Sequence, residues 1–330
     1  MGGSAVLVAT RRRILAAGLV VVASAARAEA GWPTRPIRII VPAAGGGGTA
    51  DTIARLLAAE LETRLGRRVL IENRGGANGN IGAAEAARAA PDGYTFLFSW
   101  AGTLATNLAL YRNLPFHPQR DFDPIVFVGT VPNILVVNND LPVRTLAEFA
   151  DYARRNPGRV ATGSSGQGSS MHLAAQLFMN ATGTELYHVP YTSVPVAIND
   201  LIAGRIQAMF QLVVGIQGQV KGGLVRPIAV LARERVPQLP DVPTTGEQGM
   251  PELVFGTWFA LLAPKGVPPA ILERMNREVN AILGEPTSRS RLIDAGLSPG
   301  GGSAEELAAL IDREIAAHAE LVRTAGVRLD

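Results

Sequence analysis

The sequence predicts an α/β protein with open, mainly parallel β-sheets and helices on their faces. Short runs rich in Val and Ile alternate with stretches of helical periodicity, the order of a βαβ fold. Glycine- or serine-rich turns separate several strands from the helix that follows. A chain of 330 residues is also long enough for two lobes with separate cores.

The first five elements establish the pattern. Strands are predicted at residues 36–42, 68–72 and 95–99, and helices at 52–65 and 81–90. Asp51 is expected to cap the first helix, and Gly66 to end it. Strand, helix, strand, helix, strand is the order of a parallel sheet with crossover helices.

The remainder of the chain continues the alternation. Further strands are predicted at 125–131, 134–138, 160–163, 186–191, 206–211, 228–232 and 257–263, and helices at 145–156, 171–182, 196–203, 268–283 and 304–325. The late strand and the two helices after it would pack back on the first sheet. We therefore expect crossings near 131 and 253, with lobe 1 formed by 31–131 and 254–330 and lobe 2 by 132–253.

Residues 1–30 are predicted to be a cleavable export signal. Three arginines, 11–13, precede a run of 13 small or apolar residues, 14–26, and Ala26-Arg27-Ala28 fits a small-residue cleavage site. The run is too short to span a bilayer, which needs about 20 residues. The arginine cluster also resembles a twin-arginine signal. We expect a periplasmic protein, with the export route left open.

The charge balance argues against nucleic-acid binding once the leader is set aside. Residues 1–30 hold four of the 31 basic and one of the 28 acidic side chains, which leaves 27 of each in the rest of the chain. A basic surface is the usual footprint of a nucleic-acid partner. The chain has no cysteine, which excludes disulfides and thiolate catalysis.

A glycine-rich turn at 43–51 is the clearest candidate site. Four consecutive glycines, 45–48, lie between a predicted strand and a predicted helix, so the backbone can approach a ligand closely. The start of the helix adds N–H groups and a partial positive charge that suit an anion. Neither a P-loop nor a complete dinucleotide fingerprint is present, which disfavours nucleotides. The alternative is a tight turn without a ligand.

A serine-rich turn at 164–170 occupies the same position in a second unit. It holds four serines before a helix start, which suits a carboxylate or an uncharged polar group. The alternative is a serine nucleophile, but Ser165 does not fit the Gly-x-Ser-x-Gly pattern. His172 is close in sequence and is read as a helix-face residue. Loops at 99–103 and 191–193 also follow strands, where hydroxyls either contact a ligand or cap the chain.

No motif requires a metal or an organic cofactor, and we expect none. The four histidines are scattered, and neither a His-Glu-x-x-His motif nor another metal-ligand spacing occurs. Trp258 is expected either to line a cleft or to lie in the core.

Several stretches resemble one receptor family along the whole mature chain. The match covers 33–51, Ile-Glu-Asn-Arg-Gly-Gly-Ala-Asn-Gly-Asn-Ile-Gly at 71–82 and Ala-Pro-Asp-Gly-Tyr-Thr at 90–95, with shorter matches at 114–116, 121–122, 168–174, 188–191, 239–244 and 261–264. The chain thus resembles the Bug family, the TctC-type extracytoplasmic receptors of tripartite tricarboxylate transporters.

This resemblance implies a two-lobed periplasmic-binding-protein fold of the Venus-flytrap kind and a small carboxylate ligand. It implies a membrane partner, the permease subunits of a tripartite tricarboxylate transporter, and a monomeric receptor without enzymatic activity. The ligand-binding residues that it implies are Ala44, Gly45, Gly46, Gly47, Gly48, Thr49, Asp51, Ser99, Gly102, Thr103, Ser165, Gly166, Gln167, Gly168, Ser169, Ser170, Thr192 and Gln211.

The chain departs from the family pattern at three places. The glycine turn is one residue longer, the turn at 191–195 lacks a basic residue after the tyrosine, and Gln211 stands where relatives often have aspartate. Loss of that carboxylate disfavours a ligand with an ammonium group. Two other functions remain open: a periplasmic sensor that presents its ligand to a two-component system, and a secreted serine hydrolase.

Overall fold

The computed structural model describes residues 31–45 and 48–325. The predicted leader, Gly46, Gly47 and residues 326–330 lie outside the described residues. The strands of the described part are β1 (Ile37–Val41), β2 (Val69–Asn73), β3 (Thr95–Trp100), β4 (Phe122–Val137), β5 (Ala161–Ser164), β6 (Tyr187–Pro190), β7 (Ala208–Leu212), β8 (Arg226–Val230), β9 (Gly256–Pro264) and β10 (Ser298–Pro299).

Helices connect and cover these strands. They are α1 (Thr49–Leu65), α2 (Asn80–Ala87), α3 (Asn107–Leu110), α4 (Leu146–Arg155), α5 (Ser170–Thr182), α6 (Val194–Ile202), α7 (Val213–Lys221), α8 (Pro269–Gly284), α9 (Pro286–Asp294) and α10 (Ala304–Ala325), with a 3₁₀ turn at Ala77–Gly79 and a π-helical turn at Gly102–Thr106.

The strands form one mixed sheet in the order β2-β1-β3-β9-β4-β7-β5-β6, with β8 and β10 paired to β4. Parallel pairing joins β1 to β2 and β3, and β5 to β6 and β7. The long strands β9 and β4 are antiparallel to their neighbours and join the two parallel groups. We call β1, β2, β3, β9, β10 and residues 122–132 of β4 the first half of the sheet, and the remaining strands the second half.

Strand β4 passes from one half to the other without interruption. Its residues 122–132 pair with β9, whereas residues 133–137 pair with β7 and β8. Asn133 stands at the change of partner, where its N–H donates to Phe255 O at 3.0 Å and its amide donates to Phe210 O at 2.7 Å. The two strands predicted at 125–131 and 134–138 are therefore one, because partners from distant segments satisfy the backbone throughout.

Each half has its own aromatic core. In the first half, Phe98 of β3 and Phe259 of β9 stack with ring centroids 5.6 Å apart, and both rings are buried. In the second half, Phe178 of α5 lies between Phe149 and Phe210, at centroid distances of 5.3 and 5.5 Å. Burial of apolar side chains is the main stabilising contribution to such cores.

The helix predictions were correct in type where the sequence carries a cap signal. Thr145 precedes α4 and forms a capping box with Glu148, as that segment suggested. The start of α1 was predicted wrongly, because the helix begins at Thr49 after Gly48, and Asp51 lies inside the first turn. Helices α3, α7 and α9 and the short strand β10 were missed. Among the described helices, none combines the length and the apolarity needed to cross a bilayer.

We expect Phe98→Ala to lower the free energy of unfolding by about 3–5 kcal/mol, because it leaves a cavity beside Phe259 in the core of the first half. Phe98→Leu fills more of that space and should cost clearly less. Urea unfolding followed by circular dichroism measures both. Equal stabilities of the Ala variant and the unmodified protein would contradict this account of the core.

Candidate functional site

The loops that follow β1, β2 and β3 lie together at one edge of the first half, since these strands are parallel. A methyl group on Gly75 would lie 2.9 Å from Ala44 N, so the loop after β2 packs against the glycine turn. A methyl group on Gly79 would collide with Thr103 Oγ1, which places that loop against the π-helical turn after β3. Glycine is therefore required for this close approach of backbones.

Asn78 is the centre of a hydrogen-bonded cluster at this edge. Its amide donates to Asn107 Oδ1 at 2.7 Å, and its carbonyl accepts from Thr103 Oγ1 at 3.1 Å and from Asn107 Nδ2 at 3.0 Å. Asn107 Nδ2 also donates to Asn80 Oδ1 at 2.6 Å. Asn78 has a positive φ of 50°, a conformation that Asn tolerates better than most residues. The cluster fixes the shape of the loop and the position of Thr103.

Helix α1 starts at the glycine turn with an N-terminus that no side chain caps. Its first turn therefore presents N–H groups and the positive end of a 17-residue helix dipole. The buried Asp51 carboxylate lies in this turn and binds Arg55 through two contacts of 3.0 and 3.1 Å. Arg55 also donates to Asn73 Oδ1 at 3.2 Å. Because the guanidinium compensates the carboxylate, the helix start keeps its attraction for an anion.

The serine-rich turn in the second half is held by its own hydrogen bonds. Gly166 N–H donates to Ser164 Oγ at 3.0 Å, and Gly168 N–H donates to His172 Nδ1 at 3.1 Å. Ser169 caps α5, with its hydroxyl donating to Gly166 O at 2.7 Å and accepting from His172 N at 3.3 Å. Both glycines have positive φ values, 117° and 74°. Their N–H groups are thus used inside the turn.

Two histidine rings form hydrogen bonds to this turn. The rings of His172 on α5 and His188 on β6 stack with centroids 4.0 Å apart and an interplanar angle of 15°. His188 Nε2 shares a 2.6 Å hydrogen bond with Ser164 Oγ. Burial, and then the nearby His188, lowers the pKa of His172 to about 4, and burial also lowers the pKa of His188. Both rings are therefore neutral at neutral pH.

The two halves meet at these loops. A methyl group on Gly215, in the first turn of α7, would lie 3.1 Å from Thr49 Oγ1 and 3.5 Å from the Gln211 amide carbon. A methyl group on Gly168 would collide with Leu110 Cδ1 and lie 3.7 Å from Asn78 Nδ2. The start of α1 therefore lies beside the end of β7, and the serine-rich turn lies against the first half.

Gln211 presents a hydrogen-bond donor to this region. Its side chain is fully buried at the end of β7, and its Oε1 accepts from Leu212 N at 2.7 Å. Its Nε2 has no protein partner among the described residues. A buried donor without a partner costs free energy, and a ligand that accepts its hydrogens recovers it.

The structure brings together part of the predicted set. Thr49 and Gln211 lie at one contact between the halves and Gly168 at another, while Gly102 and Thr103 stand beside Asn78. The other described members are Ala44, Gly45 and Gly48 in the glycine turn, Asp51 in the first turn of α1, Ser165, Gly166, Gln167, Ser169 and Ser170 in the serine-rich turn, and the exposed Thr192 after β6.

Ser99 has a fully buried hydroxyl without a partner among the described residues, and it forms a ladder pair with Ala260. Trp258 belongs to the core, where its indole donates to Glu314. The tryptophan near the loops is Trp100, whose Nε1 would lie 2.8 Å from a methyl group on Gly102.

Sequence reasoning missed Asn78, Leu110 and Gly215. The glycines around Asn78 were the available signal for the first, whereas the other two are recognisable only from the contact between the halves. Within the described residues, no group of three or more acidic or histidine side chains could hold a metal ion.

A mixed α/β protein with two lobes, joined by long strands and with glycine-rich strand ends at the contact, belongs to the class of periplasmic-binding-protein-like receptors. The chain is a member of the tripartite tricarboxylate transporter family of receptors, whose model matches residues 53–327. BugT of Bordetella pertussis is 36% identical over 299 residues, covering 90% of this chain and 91% of BugT. The predicted family and fold class are confirmed.

Two solved structures with ligands are similar along nearly the whole chain. A Rhodopseudomonas palustris protein solved with adipate superposes with a TM-score of 0.87 at 37% identity, covering 90% of this chain and all of that one. MatC from Rhodopseudomonas palustris, solved with malate, gives a TM-score of 0.81 at 33% identity, covering 88% of this chain and all of MatC.

We expect Gly168→Ala to separate the two halves, because the new methyl group collides with Leu110 and the φ of 74° strains an alanine. Small-angle X-ray scattering should give a larger radius of gyration than for the unmodified protein. Gly158→Ala is the matched control, since φ is 67° there and no atom lies within 4 Å of a methyl group. Scattering curves of the two variants that coincide would contradict the expectation.

Proposed function

We propose that this receptor captures a small carboxylate between its lobes at the site formed by the glycine turn, the serine-rich turn and Gln211. One observation carries the proposal: the uncapped start of α1 in one half lies beside an unpartnered buried amide donor in the other. Hydrogen-bond donors and a helix N-terminus are complementary to a carboxylate, and charge-assisted hydrogen bonds of this kind are strong. The adipate and malate bound by two relatives support this ligand class.

The proposed lobes follow the pairing of the long strands. Lobe 1 comprises 31–131 and 254–330, and lobe 2 comprises 132–253, with β4 and the start of β9 as the two crossings. The change of partner at Asn133 supports this division. The empty receptor samples closure about the crossings, and the ligand stabilises the closed form because only that form places donors on both sides.

The proposed ligand contacts are mainly backbone groups at the start of α1 and in the serine-rich turn, completed by Gln211 and by hydroxyls after β3 and β6. Gln211 contributes a neutral donor, which accommodates a ligand oxygen and offers no counter-charge to an ammonium group. We expect micromolar affinity, about −8 kcal/mol.

The proposed location is the periplasm, and the partner is the permease of a tripartite tricarboxylate transporter. The basic cluster and apolar run within residues 1–30 support export. The family description supports the partner. In this proposal the receptor is a monomer, and its closed form docks on the permease subunits, which supply the energy for uptake.

The proposal includes no covalent chemistry. Among the described residues, the one serine in the turn that bonds a histidine ring is Ser164. This residue is 1% exposed, and its hydroxyl already bonds Gly166 and His188. A nucleophile must reach its substrate and needs a base oriented by a third group. The Ser164–His188 contact therefore supports a structural role.

Titration calorimetry against acetate, succinate, adipate, malate and citrate tests the ligand class. We expect a one-to-one complex of micromolar affinity with at least one dicarboxylate, because the site offers donors to acid oxygens. The dimethyl ester of the best ligand is the control and should give no heat, since it has no charge. If none of these acids gives a heat of binding with protein freed of co-purified ligand, the proposal is refuted.

Replacement of Gln211 by glutamate should weaken binding of that dicarboxylate at least tenfold. The change keeps an oxygen for Leu212 N–H but replaces the free donor with a negative charge that repels the ligand. Gln207→Glu is the matched control, because the Gln207 side chain bonds Ala161 N and Gly204 O, away from the contact between the halves. Equal affinities of the two variants, measured by calorimetry, would contradict the role of Gln211 in ligand binding.

A further inference from the structure

The stacked histidine pair is not part of the predicted ligand set, yet it bonds the serine-rich turn at two points. His172 accepts from Gly168 N–H, and His188 bonds Ser164, which in turn accepts from Gly166 N–H. Between them the rings hold both glycines with positive φ. One of these, Gly168, is also the contact with Leu110 in the first half.

The bond at His172 fixes its protonation state by geometry. Because Nδ1 accepts a hydrogen from a backbone N–H, it must carry a lone pair, so the ring is neutral with its proton on Nε2. Protonation of Nδ1 would set two N–H groups against each other and break the bond. The parallel ring of His188, 4.0 Å away, makes a positive charge on both rings unfavourable.

The surroundings offer no counter-ion that would stabilise a cation there. Strands β5 and β7 carry no ionisable side chain, α5 carries only His172, and β6 adds His188 and the exposed Tyr187. Glu185 is exposed in the turn before β6. On other neighbouring elements, Arg154 is paired with Asp151, Tyr191 and Arg205 with Asp200, Glu314 with His318, Glu320 with Arg323, and Asp123 with Lys265. Among the described residues, neither histidine ring bonds an acidic side chain.

We propose that His172 and His188 are positioning residues that hold the serine-rich turn in its ligand-binding form only while both rings are neutral, which makes ligand capture sensitive to acid. The inference rests on the proposed function, because the turn is taken to be part of the carboxylate site. Neither histidine contacts the ligand. They act through the backbone of Gly166 and Gly168, so the effect reaches the contact between the lobes as well as the ligand.

The direction of the pH effect follows from linkage. In the binding form the pKa of His172 is lowered from 6.5 to about 4, so a receptor with a loosened turn binds a proton more tightly than the ligand-binding form does. Protons therefore compete with the ligand as the pH falls below about 6.5. A histidine whose pKa is ordinary in the loosened form and lowered in the ligand-binding form weakens binding up to about tenfold between pH 7.5 and 5.5.

Calorimetry with adipate and malate at pH 7.5 and 5.5 tests the inference in four proteins. The unmodified receptor should lose affinity in acid. His172→Asn offers an acceptor close to the position of Nδ1 but does not titrate, so its affinity at pH 7.5 should be preserved. Its loss of affinity in acid should be smaller than that of the unmodified receptor, because only His188 and the ligand are left to titrate. His172→Phe keeps the stacking but has no acceptor, and it should bind weakly at both pH values. His318→Asn is the control for a second buried histidine and should keep the pH dependence.

Two readouts without ligand separate this inference from the proposed function. Long-range ¹H–¹⁵N spectra should show His172 protonated at Nε2 and titrating well below 6.5. The protection of Gly168 N–H, measured as its hydrogen-exchange rate relative to the intrinsic rate at the same pH, should decrease in acid and in His172→Phe. If no carboxylate binds but both signatures appear, the function is wrong and the role in positioning the turn stands. Equal pH profiles of the unmodified receptor and His172→Asn, or protection of Gly168 N–H relative to the intrinsic rate that is the same at both pH values, would overturn the inference.

Discussion

At Gly168 and Gly215 the two halves of the molecule approach so closely that a single methyl group would either collide or be tightly packed. One contact brings the serine-rich turn against Leu110, and the other brings the first turn of α7 against Thr49. The positions of the donors at the site depend on this approach, because the start of α1 and the amide of Gln211 belong to different halves. The continuous strand β4 makes the approach reproducible, since it fixes the register of both halves relative to each other.

The electrostatics of the site follow from donors rather than from lysine or arginine side chains. The helix start contributes partial charge, Gln211 contributes a neutral donor, and the acid group of Asp51 is compensated by Arg55. Arg55 is half exposed, so its pair with Asp51 adds little to stability. Its effect is local: without the guanidinium, a carboxylate in the first turn of α1 would repel an anionic ligand from the helix that attracts it.

Much of the fold could be predicted because local signals and tertiary structure agree. The capping box at Thr145 and the Val- and Ile-rich run of β1 are examples in which the residue types alone define the element. Prediction failed where distant pairing decides the outcome. Two strands were predicted at 125–131 and 134–138, but β9 and β7 supply partners on either side of Pro132 and make them one. Helix α7 contains two glycines, so its propensity is poor, and packing against α1 and β4 stabilises it instead.

The site shows the same division between local and distant information. Glycine-rich strand ends mark where backbone can approach a ligand, which is a local property, and both turns were recognised from it. Which N–H groups remain available was not recognised from the residue types. Gly166 and Gly168 donate theirs to Ser164 and His172, and His188, from further along the chain, completes the bonding of the turn through Ser164. Gln211 was predicted as a contact, but the free Nε2 follows only from the bond of its oxygen to Leu212.

A receptor that passes its ligand on must also release it, and the composition of this site suits that requirement. A buried ion pair between ligand and protein would make opening costly, because separation leaves an uncompensated charge in the cleft. Backbone donors and a neutral amide can exchange the ligand for water at a smaller cost. Affinity then depends on how well the turns are preorganised rather than on a single strong contact. In the proposed function, the groups that shape the serine-rich turn therefore influence capture as much as the groups that would bond the ligand.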